Sequence, residues 1–135
     1  ADTRCGLGIG TIDFIPEGRV SQGDGEAFRL SGRLLEKMKK RSGMSIDAAD
    51  DEVVGRWALP FALADAVITS SWTQRRALTL TGELRGWSQE QTGQLWTEFE
   101  VKPKPLSQAT VSRYLDQANW PVFARFLQEF EESWI

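Results

Sequence analysis

Between Cys5 and Gly10 the chain alternates apolar residues with glycine: Cys5, Leu7 and Ile9 on one parity, Gly6, Gly8 and Gly10 on the other. A two-residue period is that of a β-strand. Three glycines along one face leave that face without side chains, so another backbone or a helix can approach it closely. The pattern therefore calls for an element that lies directly on this strand.

The alternation changes phase after Gly10, where Ile12 and Phe14 take the opposite parity. This predicts a strand over residues 4–14 with a bulge or bend near Gly10. Residues 16–25, rich in Gly, Ser, Gln and Asp, read as a loop. A helix is expected over residues 26–41, because Ala27, Leu30, Leu34 and Met38 fall on one stripe. Its acidic start (Asp24, Glu26) and basic end (Lys37, Lys39, Lys40, Arg41) suit the helix dipole. Residues 44–48 form a candidate short strand. Residues 50–52 then open a mostly apolar helical segment, through Val67 and Ile68, which Pro60 should kink or divide.

Composition excludes more than it selects. The 135 residues suffice for one compact domain or two small ones, and 41% hydrophobic content with six tryptophans can bury a core. No uninterrupted apolar run approaches the roughly 20 residues of a membrane span, so the cytoplasm is the expected location. The single cysteine, Cys5, makes neither an intramolecular disulfide nor a thiolate cage, and reads as a small apolar filler in a strand. Histidine is absent, which removes Ser-His-Asp and Cys-His catalysis, imidazole zinc sites and histidine switches. No catalytic residue, metal or cofactor is expected. The first residue is Ala1 and the first strand begins at once, so an absent N-terminal portion is expected as well.

Composition changes again near Ser70, where Ser-Ser-Trp-Thr-Gln precedes a helical pattern containing Ala77, Leu78, Leu80 and Leu84. This divides the chain into residues 1–70 and residues 71–135. Ser88-Gln-Glu-Gln91 is a capping-box signature, with Ser88 as cap and Gln91 reaching back, and predicts a helix to about Phe99. Pro103 and Pro105 must end it. Ser107 caps the next helix, 107–118, with Val111, Leu115 and Ala118 facing inward. Pro121 suits a first helical turn, and Phe123, Phe126, Leu127, Phe130 and Trp134 form an apolar stripe on a last helix that packs to close the domain or makes a dimer contact.

Three short helices in a row, the third opening with Ser-Gln-Ala-Thr-Val-Ser-Arg, match the needs of a major-groove reader. Small polar residues let the helix end approach base edges, and one arginine grips guanine or phosphate. Ser107, Gln108, Thr110 and Arg113 take those positions, with Gln89 early in the preceding helix. Lys102 and Lys104 in the proline-stiffened turn, and Arg75 and Arg76 on the first helix, are placed to meet phosphates. The net charge of −3 argues against a purely electrostatic binder. Between Trp72 and Asn119, six basic residues (Arg75, Arg76, Arg85, Lys102, Lys104, Arg113) face five acidic ones (Glu83, Glu90, Glu98, Glu100, Asp116). That balance keeps a protein-binding adaptor as the alternative, and makes dimerisation useful for DNA affinity.

The run Ser107-Gln-Ala-Thr-Val-Ser-Arg-Tyr-Leu-Asp-Gln-Ala118, with Gly86-Trp-Ser-Gln89 before it and Trp120 after it, resembles the helix-turn-helix of the SatD family of bacterial regulators. Gly8-Ile9-Gly10, Gly23-Asp24-Gly25-Glu26-Ala27 and Arg33-Leu34 are similar to that family's N-terminal motifs, so the resemblance covers most of the chain. It departs at Thr92 and Gly93, which stand where such modules carry a large apolar residue and alanine, and in a longer turn.

More distantly, the N-terminal segment is similar to the second half of class III nucleotide cyclases. That similarity puts Arg29 at the position of the cyclase asparagine and Arg33 at that of its arginine. The metal-binding carboxylates of a cyclase belong to the other half, so the resemblance implies no catalysis, and Arg33 reads as a solvated or ion-paired residue. Gly6-x-Gly8-x-Gly10 has the wrong spacing for a dinucleotide fingerprint. The loop Gln22-Gly-Asp-Gly25 reads as a plain helix cap, since Asp24 and Glu26 would repel an anion.

Together these readings predict an α+β chain: a small ferredoxin-like or cyclase-like α/β fragment that senses or dimerises, then an all-helical helix-turn-helix module. The expected partner is double-stranded DNA. A homodimer and an unidentified small-molecule effector are compatible additions, a membrane is not expected, and the chain is expected not to be an enzyme.

Overall fold

The computed structural model describes residues 3–38, 43–99 and 106–134. Among these, the chain is α+β and mostly helical, with six helices and one two-stranded parallel sheet. In order they are β1 (Arg4–Ile9), α1 (Glu26–Met38), β2 (Gly43–Ala48), α2 (Asp51–Ser71), α3 (Gln74–Leu84), α4 (Gln89–Phe99), α5 (Gln108–Gln117) and α6 (Trp120–Glu132). Two compact units divide between Ala66 and Val67, a few residues before the expected boundary and inside α2.

In the first unit β1 and β2 pair in parallel, Arg4 opposite Gly43 through Ile9 opposite Ala48. The helix that the glycine face requires is α1. A β-carbon on Gly8 would stand 2.7 Å from Ser31 N and closer still to the Ala27 carbonyl, and one on Gly6 would stand 3.1 Å from the Ser31 carbonyl. Backbone therefore lies on backbone along this contact. Leu30 and Leu34 of α1 are buried, each contributing roughly 1.5–3 kcal/mol by leaving water.

Four expectations are corrected here. The strand ends at Ile9, because Gly10 bends the chain away; Phe14 pairs only with Asp24, through an isolated antiparallel bridge. Residues 20–22 of the loop form one 3-10 turn. Cys5 lies in β1 as expected but is exposed rather than a core filler. Pro60 does not divide α2, which runs unbroken through it. Trp57, Phe61 and Ala64, on one stripe spanning the proline, are all buried, and that burial offsets the hydrogen bond proline cannot make.

With Pro60 inside it, α2 becomes, among the described residues, one helix long and apolar enough to cross a membrane, by length and composition alone. Asp65, on that helix, accepts a hydrogen bond from Met44 N at 2.7 Å, within the first unit. The end of the helix expected over residues 26–41 lies partly outside the described residues, beyond Met38.

In the second unit α3 packs against both α4 and α5, and α5 against α6. Leu78, Thr79 and Leu80 of α3, Trp96 of α4, Val111 and Ala118 beside α5, and Phe123 of α6 are buried. The crossing of α3 and α4 rests on Gly82, where a β-carbon would stand 2.9 Å from Thr92 Cγ2 and closer still to its Oγ1. Thr92 is thus the residue whose branched side chain fills the space that Gly82 leaves. The rings of Phe123, Phe126 and Phe130 on α6 and of Trp134 just beyond its end follow one another at 5.6–6.4 Å.

Candidate functional site

Helix α5 is anchored by chemistry that its sequence announces. Ser107 caps it, its Oγ accepting from Thr110 N at 3.1 Å and lying 2.9 Å from Thr110 Oγ1. The box at α4 forms in both directions: Ser88 N donates to Gln91 Oε1 at 2.8 Å, and Gln91 N to Ser88 Oγ at 3.2 Å. Val111 and Ala118 are buried and Leu115 is half-buried, so the inward face is the expected one.

The C-terminal end of α5 is tied to the start of α3. Trp72 Nε1 donates to the Ala118 carbonyl at 2.9 Å. Arg76 donates through Nη1 to the Ser71 carbonyl and through Nη2 to Gln117 Oε1 at 2.9 Å. The α5–α6 junction is turned by Asn119 at φ 56°, the left-handed region that asparagine tolerates better than most residues.

Set against this frame, the nine sequence candidates separate. Gln108 and Arg113 are exposed on α5, and Arg113 lies 5.3 Å over the Tyr114 ring. Ser107 is exposed but serves as a cap, and Thr110 is half-buried and bonded to that cap. Gln89 is turned back onto the module, its Nε2 donating to the Leu106 carbonyl. Arg75 is half-buried with its guanidinium 5.8 Å from the centre of the Trp96 ring. Arg76 has its hydrogen bonds inside the protein, as a brace between α3 and α5. Lys102 and Lys104 lie outside the described residues.

Ala109 and Ser112, both exposed, complete the outward face with Gln108 and Arg113. Helical spacing from Gln108 and Arg113 would have found them, since residues four apart share a face. Asp116 is exposed on the same side and sets a negative charge at its far end. The face is therefore small and polar at its first turns, with one cation, and acidic toward its end.

The brace gives a direct test of Arg76. Replacing it, Arg76→Met, keeps the apolar stem and removes two hydrogen bonds, so thermal or urea unfolding should register a loss of about 1–2 kcal/mol. The salt dependence of any duplex binding should stay as in the wild type. A decrease of about one in the log–log salt slope would assign Arg76 to a phosphate instead.

Among the described residues no group of three histidine, cysteine, aspartate or glutamate side chains is placed to hold a metal ion. In the first unit Arg29, at the position equated with the cyclase asparagine, pairs with Asp24 at 3.0 Å and Asp13 at 3.8 Å, while Arg33 is exposed on α1. Asp24 Oδ1 also accepts from Gly25 N at 2.7 Å, so its carboxylate joins the loop to Arg29 of α1. Compared with known proteins, the chain matches no family model, no curated protein and no solved structure.

Proposed function

We propose that this chain is a DNA-binding transcriptional regulator that reads the major groove of a duplex with α5. One observation carries the reading: a helix tied at both ends presents Gln108, Ala109, Ser112 and Arg113 outward from its first turns. Side chains as short as those of Ala109 and Ser112 let the helix axis come close to base edges. Glutamine can pair with adenine, arginine with guanine, and the alanine methyl can meet a thymine methyl. The similarity of residues 107–118 to the SatD helix-turn-helix supports the same reading.

On this reading the first unit is a remnant of a ferredoxin-like or cyclase-like sandwich, in keeping with its βαβ order and parallel strands. It serves as the sensing or dimerising part, in the cytoplasm and without catalysis. The module carries little net charge, so a homodimer supplies the affinity that one copy lacks. That near-neutrality, with Asp116 on the outward face, is also what favours the second reading, a protein-binding adaptor.

Fluorescence anisotropy of labelled duplexes, the region upstream of the chain's own gene among them, separates the two. Wild type should bind with a clear salt slope, and Arg113→Ala should lose about 1–3 kcal/mol of sequence preference. If neither protein binds any duplex at low salt, the regulator reading fails and the adaptor reading takes its place.

A further inference from the structure

The arginines of the second unit are held in different ways. Arg76 donates to the Ser71 carbonyl and to Gln117, and Arg125 Nε donates to Glu129 Oε1 at 2.9 Å, so both use donors inside the protein. Arg85 and Arg113 are exposed and lie over aromatic rings, 4.9 Å from the centre of Trp87 and 5.3 Å from that of Tyr114. Among the described residues no hydrogen bond or ion pair engages either guanidinium, although Glu83 and Asp116 are exposed within three residues of them.

A ring holds a guanidinium by its charge and its flat face, and leaves the in-plane N–H donors for a further acceptor. Those donors form a fork that fits two oxygens of a phosphate. Arg85 is thus in the same state as Arg113, the cation on the outward face of α5. Helical spacing along α5 could not point to it, because it lies at the end of α3.

Its place in the module decides what it can meet. Arg85 closes α3, Gly86 turns the chain at φ 63°, and Ser88 caps α4. Gln89, the first residue of α4, donates to the Leu106 carbonyl beside the cap of α5, so the starts of α4 and α5 lie side by side. The chain from Arg85 to Gln89 reaches at most about 14 Å, comparable to the roughly 12 Å width of a B-DNA major groove. With the first turns of α5 on base edges, a cation this near them has the phosphate wall of the groove within reach.

We propose that Arg85, stacked on Trp87, grips a phosphate of the duplex at the wall of the groove whose bases α5 reads. The proposal rests on the DNA-binding reading of α5 and adds to it a contact that carries no sequence information. A cation in the last turn of α3 also suits the dipole of that helix, and the test separates the two roles.

The test is fluorescence anisotropy of the full chain on the duplex it binds best and on a scrambled one, at several salt concentrations. Arg85→Gln should reduce the log–log salt slope by about 0.9 and weaken binding to both duplexes alike, by roughly fivefold to tenfold at about 0.1 M salt. Arg85→Lys, which keeps the charge, should keep the wild-type slope, and the urea midpoints of both variants should match the wild type. An unchanged slope for Arg85→Gln, with wild type binding, would take Arg85 off the duplex and leave base reading by α5 standing; a lowered urea midpoint beside it would give Arg85 to the α3 dipole. A loss confined to the better duplex would make Arg85 a base contact and overturn the proposal. Wild type that binds no duplex at low salt would overturn the DNA reading and this contact with it.

Discussion

Gly8→Ala should cost the first unit more than 3 kcal/mol, a large share of the roughly 5–15 kcal/mol that holds an ordinary small domain folded. A single methyl ordinarily adds only about 1–3 kcal/mol of overpacking. At Gly8 it would stand 2.7 Å from Ser31 N and closer to the Ala27 carbonyl, and both belong to the backbone of α1. No rotamer change relieves that contact. Strand and helix must separate along their whole length, exposing Leu30 and Leu34. Circular dichroism with urea titration checks the result, and Gly32→Ala serves as control, since a β-carbon there meets nothing and should leave stability unchanged or slightly raised. An unchanged midpoint for Gly8→Ala would mean that α1 does not sit on β1 this closely.

The second large effect belongs to Gly82→Ala. Alanine favours an exposed helix interior over glycine by about 1 kcal/mol, so on propensity alone the change would stabilise α3. The α3–α4 crossing reverses the sign. The new methyl would meet Thr92, whose Oγ1 is held at 3.0 Å by donating to the Ser88 carbonyl and cannot swing aside without giving up that bond. A net loss of about 2 kcal/mol is expected, with α4 pushed off α3. Thr92→Ala alone should cost about 1–2 kcal/mol for its lost packing. The double variant should be more stable than the sum of the two, with a coupling energy of about 1–2 kcal/mol in a thermal-unfolding cycle. Additive losses would place the two residues out of contact.

These two glycines show what the sequence could and could not tell. Gly8 sits in a two-residue pattern, and the pattern alone required a close neighbour, though it could not say that the neighbour was α1. Gly82 sits in a helical pattern where nothing local marks it, because its reason is a threonine ten residues on, across a turn. Caps were legible for the opposite cause: Ser88 with Gln91, and Ser107 with Thr110, act within one turn of chain. Pro60 misled because its local penalty is real, and it is outweighed by burial of Trp57, Phe61 and Ala64 that no short window reveals. The candidate site followed the same division. Gln108 and Arg113 could be placed outward from helical spacing, whereas the turning of Arg76 toward Gln117 and of Gln89 toward Leu106 are contacts between distant residues.

Helix α5 is fastened at its beginning by Ser107 and at its end by Trp72 and by Arg76 through Gln117. A helix held this way is already ordered before it meets any partner. Association then need not draw on the ordering free energy that folding-upon-binding segments give up, and it buries only the surface the two partners already present. In calorimetric terms its heat-capacity change should be the modest one of rigid surfaces meeting. Selectivity should follow from whether a ligand matches a fixed shape, since α5 does not remould itself to suit what it touches.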